Sequence, residues 1–380
     1  MDLIAKIYSE DRTVLTIGEM EREIDVNSGI KQGCPLSTTL FKLITFQIIK
    51  RLEKEGVSYE VEGRDVSSLF FADDSMLFAK SRSDIEKNLD IMVKVGREYG
   101  LEINKEKSKV MVYGGKSSYD EIGGIKVEKS IKYLGLMIDD EKDIFKTQKE
   151  KIGKELKKFE NMTYSVISKC CNKMLVGKTY WKGMVLPSVL NGIGVMNVSN
   201  EVVENVQGIE NGVYRKILGA RGKTVLETLR GEVGASSSEV RFMQSKLMLA
   251  KSIWNSKNKL VRDIMERVRE DGRNQWNKKL EEYLIKINVT FEELVEMDKK
   301  DIKKKLNEYD SKKWKEGIEK KSSVKIYRRF KKEIKEERVY DNRRSSESGF
   351  STIVKSFLYR WTYHPILQRR ARLTNGNGSG

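Results

Sequence analysis

The sequence predicts an α+β fold, with short strands gathered in the first 140 residues and helices making up the rest. Three observations carry that expectation. Phe70-Phe71-Ala72 is followed by Asp73-Asp74 and then by Ser75-Met76-Leu77-Phe78-Ala79. This reads as a strand buried on both faces, a turn made by the paired aspartates, and a returning strand. Apolar positions recur at helical spacing over 146–175, 202–218 and 238–260. Only three prolines interrupt 380 residues rich in Lys, Glu, Ile and Leu, a composition that favours helix throughout the second half.

The elements before residue 140 each have a local reason. Ser28-Gly29-Ile30-Lys31-Gln32-Gly33-Cys34-Pro35-Leu36-Ser37 reads as a loop opening a helix that starts at Ser37 or Thr38 and runs through an apolar stretch over 40–52. Gly29 and Gly33 let the backbone come close to a planar base or sugar, and Gln32 offers a donor and an acceptor. The same residues also read as a plain glycine-rich loop. The Asp73-Asp74 tip can hold divalent cations, and aspartate is equally a favoured turn residue. Further on, Gly100-Leu101-Glu102-Ile103-Asn104 leads to Lys105, Lys107 and Lys109, then to a strand-like Val110-Met111-Val112-Tyr113. A lysine here can neutralise a polyphosphate or protonate departing pyrophosphate, or it is one surface lysine among many. Residues 131–137 alternate as one short strand, with Gly135 where another backbone can approach.

In this order and spacing, the four segments resemble motifs B, C, D and E of a reverse transcriptase palm. The pattern is most similar to the non-long-terminal-repeat, LINE-type retrotransposon enzymes. Their Gly-x-x-Gln-Gly-Cys-Pro-Leu-Ser is matched at 29–37, their motif C at Phe71-Ala72-Asp73-Asp74, and their Leu-x-x-Asn-x-x-Lys-Ser segment over 101–111. Tyr133-Leu134-Gly135 matches the primer grip. The resemblance continues through 185–192, 214–219 and 229–234 and covers residues 20–250.

The resemblance implies an incomplete right-hand polymerase palm, followed by a mainly α-helical thumb and C-terminal region. It implies an RNA-directed DNA polymerase working by two-metal nucleotidyl transfer. Asp73 would be the principal ligand of Mg²⁺ (or Mn²⁺) and Asp74 its neighbour. Ser28, Gly29, Gln32, Gly33 and Pro35 would surround the nucleotide and template, Lys107 would face the phosphates, and Tyr133, Leu134 and Gly135 would grip the primer. The partners implied are an RNA template, a DNA primer and deoxynucleoside triphosphates. In these enzymes a motif A aspartate precedes motif B, and basic residues of the fingers hold the triphosphate. The chain starts too late for either; Asp2, Asp11 and Asp25 lack the motif A context, and Thr38 stands where proline is frequent. The expectation is a polymerase fragment that is inactive as an isolated chain, with an apolar sheet edge left unpaired beside the motif C hairpin. The alternative is a catalytically dead or co-opted module that binds RNA or DNA.

Composition points the same way. The net charge is +17 and charged residues make up 34%, which suits a nucleic-acid partner. Residues 299–338 hold 17 basic and 8 acidic side chains, so more than half of the net charge lies there. Lys303, Lys304, Lys312, Lys313, Arg328 and Arg329 are the candidates for backbone phosphates. The interleaved Trp314, Tyr327 and Phe330 suit either base stacking or a helix core. Cys34, Cys170 and Cys171 have no metal-ligand spacing and His364 is the only histidine, which excludes a zinc site and any hydrolase needing a His base. Unpatterned cysteines and the lack of a signal peptide predict an intracellular protein of nucleus or cytoplasm, not a secreted one. Residues 183–200 are uncharged but carry Pro187, Asn191, Gly192 and Asn197, so no membrane partner is expected. The expected domains are a partial palm at 1–140, a helical thumb or connection at 141–255, a basic helical region at 256–374 and a disordered tail at 375–380. Breaks are expected near 139–142, 219–223 and 342–349.

Overall fold

The computed structural model describes residues 12–335 apart from 26–28, 30–32, 62, 115–118, 169–171 and 221, together with residues 4, 6 and 9. The expected break at 342–349 and the tail at 375–380 lie outside the described residues, as do most of the residues before β1. The chain divides into two compact units, Met1–Val110 with Ser117–Val127, and Met111–Lys116 with Glu128–Gly380.

The first unit alternates hairpins with two helices, an α+β arrangement. β1 (Arg12–Ile17) pairs antiparallel with β2 (Met20–Asp25), β3 (Tyr59–Val61) with β4 (Arg64–Val66), and β5 (Ser68–Phe71) with β6 (Asp74–Leu77). α1 (Pro35–Glu55) precedes β3, α2 (Arg82–Glu98) follows β6, and β7 (Glu121–Ile122) with β8 (Ile125–Lys126) closes the unit. α1 begins two to three residues earlier than expected: Cys34 is its N-cap and Pro35 its first residue. Proline is at home there, because its fixed φ suits the first turn and its missing N–H had no partner to lose.

The core of this unit joins α1, α2 and the β5–β6 hairpin. Ile48 and Leu52 of α1 and Val95 of α2 are buried, and Phe70, Leu77, Ile91, Met92 and Leu101 pack on them. The expectation that β5 is buried on both faces fails. Phe70 faces the helices, but Leu69 is 44% and Phe71 62% exposed. Alternate side chains of a strand point to opposite faces, and in a two-stranded ribbon only the face turned to the helices is covered. Residues 111–113 form no strand; Val110 alone makes a bridge, to Val127.

The second unit opens with a hairpin and is otherwise helical. β9 (Ser130–Tyr133) pairs with β10 (Leu136–Asp139), so residues 131–137 are a hairpin rather than the single strand expected. The reason is the turn itself: Leu134 and Gly135 both have positive φ, +47° and +85°, and this reverses the chain in two residues. α3 (Lys146–Ser168) and α4 (Lys173–Tyr180) follow, the latter continuing through a π-helical turn at Trp181–Val185 into α5 (Leu186–Leu190). Pro187 accounts for the wide turn. It has no N–H to give to the carbonyl four residues back, and the preceding Leu186 N–H bonds instead to Trp181 O, five back.

Then come α6 (Asn200–Leu218), α7 (Leu226–Val233), α8 (Ser238–Trp254), α9 (Lys259–Glu270), α10 (Gln275–Ile287), α11 (Phe291–Glu296) and α12 (Lys299–Glu319). A 3₁₀ turn at Ser322–Val324 leads to the short α13 (Tyr327–Phe330). The helix expected over 238–260 ends at Trp254, and Asn258 caps a new one. α8 feeds two cores at once. Phe242 joins Leu156, Trp181, Val213 and Leu229 in one, while Met243, Leu247 and Ala250 join Leu280, Leu284 and Leu306 in the other. Packing is therefore continuous across residue 255.

Two buried carboxylates pin the first turn of α8. Glu210 of α6 is fully buried and accepts from Trp181 Nε1 at 3.0 Å, Arg241 Nη1 at 2.6 Å, Ser238 Oγ at 3.0 Å and the Tyr214 hydroxyl. Asp310 of α12 accepts from Arg230 Nη2 at 2.7 Å, and from Ser237 Oγ at 2.9 Å and Ser237 N at 3.1 Å. Burying a carboxylate is costly unless it is paired and hydrogen-bonded, and both conditions hold here.

Candidate active site

The acidic tip is built by a two-residue turn. Phe71 pairs with Asp74, which leaves Ala72 and Asp73 as the turn. Only one of the two aspartates is therefore a turn residue; Asp74 is the first residue of β6. Ala72 takes φ +52°, a conformation costing an alanine about 1 kcal/mol and usually left to glycine. Both aspartates are exposed, and among the described residues neither carboxylate has a hydrogen-bond or ion-pair partner. The base of the hairpin is held firmly, by Phe70 and Leu77 in the core with α1 and α2. α1 and the β5–β6 hairpin thus share one interior.

A residue missed from the sequence locks this arrangement. Asn88 of α2 is fully buried; its Oδ1 accepts from Val57 N at 2.8 Å, and its Nδ2 donates to Val57 O at 2.8 Å and Phe78 O at 3.4 Å. One side chain ties the segment leaving α1 to the residue that ends the β5–β6 hairpin. The signal was a polar residue on the apolar stripe of α2, in register with Ile85, Met92 and Val95.

The other expected site residues are placed as follows. Gly29 and Gly33 have positive φ, +97° and +83°, and Pro35 opens α1, whereas Ser28 and Gln32 lie outside the described residues. Lys107 sits exposed in a turn whose geometry Asn104 sets, with Asn104 Oδ1 accepting from Lys107 N at 3.0 Å. Its neighbour Lys105 instead donates to Gly123 O at 3.1 Å. Tyr133 ends β9, and Leu134 and Gly135 form the turn beyond it.

The β9–β10 hairpin is anchored to α3. Met137 N donates to Gln148 Oε1 at 3.1 Å, and the buried Asp139 accepts from Thr147 N at 2.9 Å. Burial pushes the Asp139 carboxyl up, but hydrogen bonding from Thr147 and the nearby Lys146 charge outweigh it and hold the group below its ordinary value. A Cβ on Gly192 would strike Leu136 at 2.3 Å, so the turn after α5 fits closely against the same hairpin.

Of the basic residues, Lys303, Lys304 and Lys312 are exposed on α12 and Arg329 on α13. Lys313 is paired with Glu239, and Arg328 donates to Glu319 O at 3.3 Å. Trp314 and Tyr327 are core residues, 2% and 5% exposed, which removes them as stacking platforms. Ile302, Leu306, Trp314 and Ile318 recur at helical spacing, so Trp314 falls on the inward face. Phe330, 74% exposed, is the aromatic of the three left outside.

Two adjacent carboxylates suffice for one Mg²⁺ that keeps water and substrate phosphate among its oxygen ligands. A second ion needs more, and among the described residues no three His, Cys, Asp or Glu side chains gather as a metal site. No described helix is long and apolar enough to cross a membrane.

Residues 3–138 match the family model described as reverse transcriptase (RNA-dependent DNA polymerase). The span takes in the glycine loop, the acidic hairpin, the lysine turn and the Tyr133–Gly135 segment. The chain carries a reverse transcriptase domain of the non-long-terminal-repeat kind. Its relatives include a retrovirus-related Pol polyprotein from a type-1 retrotransposable element R2 of Popillia japonica, 30% identical over 109 residues, which are 28% of this chain and 18% of that protein. A polyprotein of the same description from Bradysia coprophila is 31% identical over 114 residues, 29% of this chain and 13% of the relative. One from the type-2 element R2DM of Drosophila melanogaster is 29% identical over 151 residues, 36% and 14% of the two chains. The chain thus spans less than a fifth of the length of these curated relatives. Reverse transcriptases work with divalent metal ions, on an RNA template and with nucleotides as substrates.

Proposed function

We propose that the first unit is palm sequence of an RNA-directed DNA polymerase, and that Asp73 and Asp74 are two of its metal-binding carboxylates. The observation that carries this reading is the pair itself: two unpartnered, exposed carboxylates at the tip of a hairpin whose base is fixed against the motif B helix. A rigid base with an open acidic tip places negative charge where a triphosphate and a primer end can reach it. A divalent ion bound there offsets phosphate charge and lowers the pKa of the primer hydroxyl. Asp73 and Asp74 supply the oxygen ligands, Lys107 offers a cation to the departing phosphates, and the Leu134–Gly135 turn presents backbone groups to a primer. Gly29, Gly33 and Pro35, with Ser28 and Gln32, are proposed to line the nucleotide. The thumb and connection are proposed to lie in the second unit, and the place of work is proposed to be nucleus or cytoplasm.

The described residues bring no third carboxylate to this pair, so the chain by itself is expected to be inactive. That same observation favours a second reading, a module that binds RNA or DNA without catalysis. The test is primer extension on an RNA template with Mg²⁺ and deoxynucleotides. Residues 1–380 alone should give no product. A polypeptide supplying the third carboxylate should restore synthesis, and Asp73→Ala should then lower it by roughly 10²–10³-fold or more. Robust synthesis by 1–380 alone, lost in Asp73→Ala, would overturn the incomplete-site reading. Synthesis insensitive to Asp73→Ala would remove Asp73 from the mechanism.

A further inference from the structure

Lys246 of α8 ends in a junction that offers its ammonium nothing. The residue is 2% exposed, and among the described residues no group accepts a hydrogen bond from its Nζ. The Trp276 ring of α10 covers it, with the ring centre 4.3 Å from Nζ. Trp276 is held in place by its own Nε1, which donates to Gly194 O at 2.8 Å. Gly194 is in turn pressed against α8 next to Lys246: a Cβ there would meet Ser245 O at 2.8 Å and Leu249 at 3.3 Å. The ring is the side of this junction nearest to solvent. Trp276 is only partly buried and stands in the first turn of α10, just after the exposed Asp271, Gly272 and Arg273.

The surrounding elements do not neutralise the amine. α5 and residues 191–198 carry no ionisable side chain. α10 brings a second cation, Lys279, whose Nζ donates to Glu282 Oε2 at 2.8 Å and Asn200 Oδ1 at 2.9 Å. α6 turns Glu210 to α8, held by Arg241, and α12 turns Asp310, held by Arg230. Glu239 of α8 itself is paired with Lys286 and Lys313, and Arg269 of α9 lies over Phe291 of α11. Burial, with the Lys279 charge second, pushes the amine down to about 7. Its charge therefore changes near neutrality.

Gly194 also belongs to the turn that backs the β9–β10 hairpin. Its neighbour Gly192 lies against Leu136, and Asn191 Nδ2 is 3.0 Å from where a Cβ on Gly135 would stand. Lys246, Trp276, Gly194, Gly192 and Leu136 thus follow one another in a line of contacts from the α8–α10 junction to the hairpin.

We propose that Trp276 is a lid that swings off Lys246 when the amine takes up a proton, and that its departure frees Gly194 and loosens the turn behind the β9–β10 hairpin. A neutral amine sits under an aromatic ring at little cost. An ammonium without an acceptor needs water, and the ring face returns only part of the hydration it gives up. The ring leaves because it is the cover closest to solvent and is tied by one hydrogen bond, after which Gly194 O turns to water. That the hairpin is the segment offered to a primer rests on the polymerase reading; the lid does not.

The experiment is amide hydrogen exchange of the full chain at pH 6.0 and pH 8.5, each rate divided by the intrinsic rate at that pH, read by mass spectrometry. Peptides spanning 191–198 include Val195 N, bonded to Gly192 O at 3.0 Å, and those spanning 275–280 cover the first turn of α10. Both should lose protection at least tenfold at pH 6.0. The limit over this interval is roughly thirtyfold, for an amine that moves from about 7 when closed to about 10.4 when hydrated. Peptides from 130–139 should lose protection in the same direction, while 203–217 of α6 should not change. Lys246→Met should abolish the pH dependence, and His364→Gln, which removes the one histidine, should keep it. Equal protection of the wild type at the two pH values, a loss shared by α6, or a pH dependence surviving in Lys246→Met would overturn the lid. A response at 275–280 with none at 130–139 would overturn the link to the hairpin. None of these outcomes touches the assignment of Asp73, and failure of primer extension leaves the lid untouched.

Discussion

At the scale of single residues, Lys246 is the side chain most at odds with its surroundings. It is 2% exposed, and its ammonium has no hydrogen-bond partner among the described residues. It sits 4.3 Å from the centre of the Trp276 ring, a contact that returns only part of the lost hydration. Burial, and secondarily the Lys279 charge, push its pKa down to about 7. The ordinary lysine value is about 10.4, so between pH 7 and 10 the unfolded chain binds more protons than the folded one, and stability rises with pH across that window. Below pH 7 the penalty is fully present. Lys246→Met should therefore stabilise the protein by about 1–3 kcal/mol at pH 6, with the gain shrinking towards pH 10. Urea unfolding at both pH values checks this, and an equal gain at both would show that the amine's charge is not the cause. Nothing in the sequence marks Lys246 among the many lysines on helices, because its burial comes from α10 folding back over α8. Asn88 was different: a polar residue on an apolar stripe is visible in advance, although its three backbone partners are not.

At the scale of elements, hairpins and helices were legible and their ends were not. The alternation around Asp73-Asp74 announced a hairpin, yet the register that makes Ala72 and Asp73 the turn is set by how Phe70 and Leu77 meet α1 and α2. The φ of +52° at Ala72 gives a direct check. Ala72→Gly should raise stability by about 0.5–1 kcal/mol, since glycine takes this conformation without the steric cost. A fall in the unfolding midpoint would mean that the alanine methyl is holding the turn. Leu134 poses the same problem in the other hairpin, and there the sequence misled, because Ile131 to Met137 alternates well enough to pass for one strand. Only the Leu134-Gly135 pair hints at the reversal, and leucine is a poor advertisement for a turn. Helix periodicity located α6 within two residues, but over 238–260 it ran through the end of α8 at Trp254.

At the scale of the molecule, the two units are unequal in what they bury. The second holds the two large cores, whereas the first buries Ile48, Leu52 and Val95 as its cluster. On the first unit Val14, Leu15, Ile17 and Met20 of the β1–β2 hairpin are 48–73% exposed, and Phe71 is 62% exposed. Exposed apolar ribbons with free edges associate. The isolated chain should self-associate in a concentration-dependent way, and Val14→Thr with Ile17→Thr should reduce this, as read by light scattering. A monodisperse monomer with one sharp, reversible thermal transition would count against it. The charge balance and the motif order made the family legible at this scale. The docking of the β9–β10 hairpin on α3 was not, because it depends on Gln148 and Thr147 meeting Met137 and Asp139 across the turn between them.

The first turn of α8 has a mechanical meaning. Carboxylates from α6 and α12 close on Ser238 and Ser237, and each is also clamped by an arginine, so three helices distant in sequence are bolted at one point. Tension entering along any one of them is passed to the other two through short, buried bonds. A fold joined in this way carries load applied to one helix into its interior instead of bending the surface.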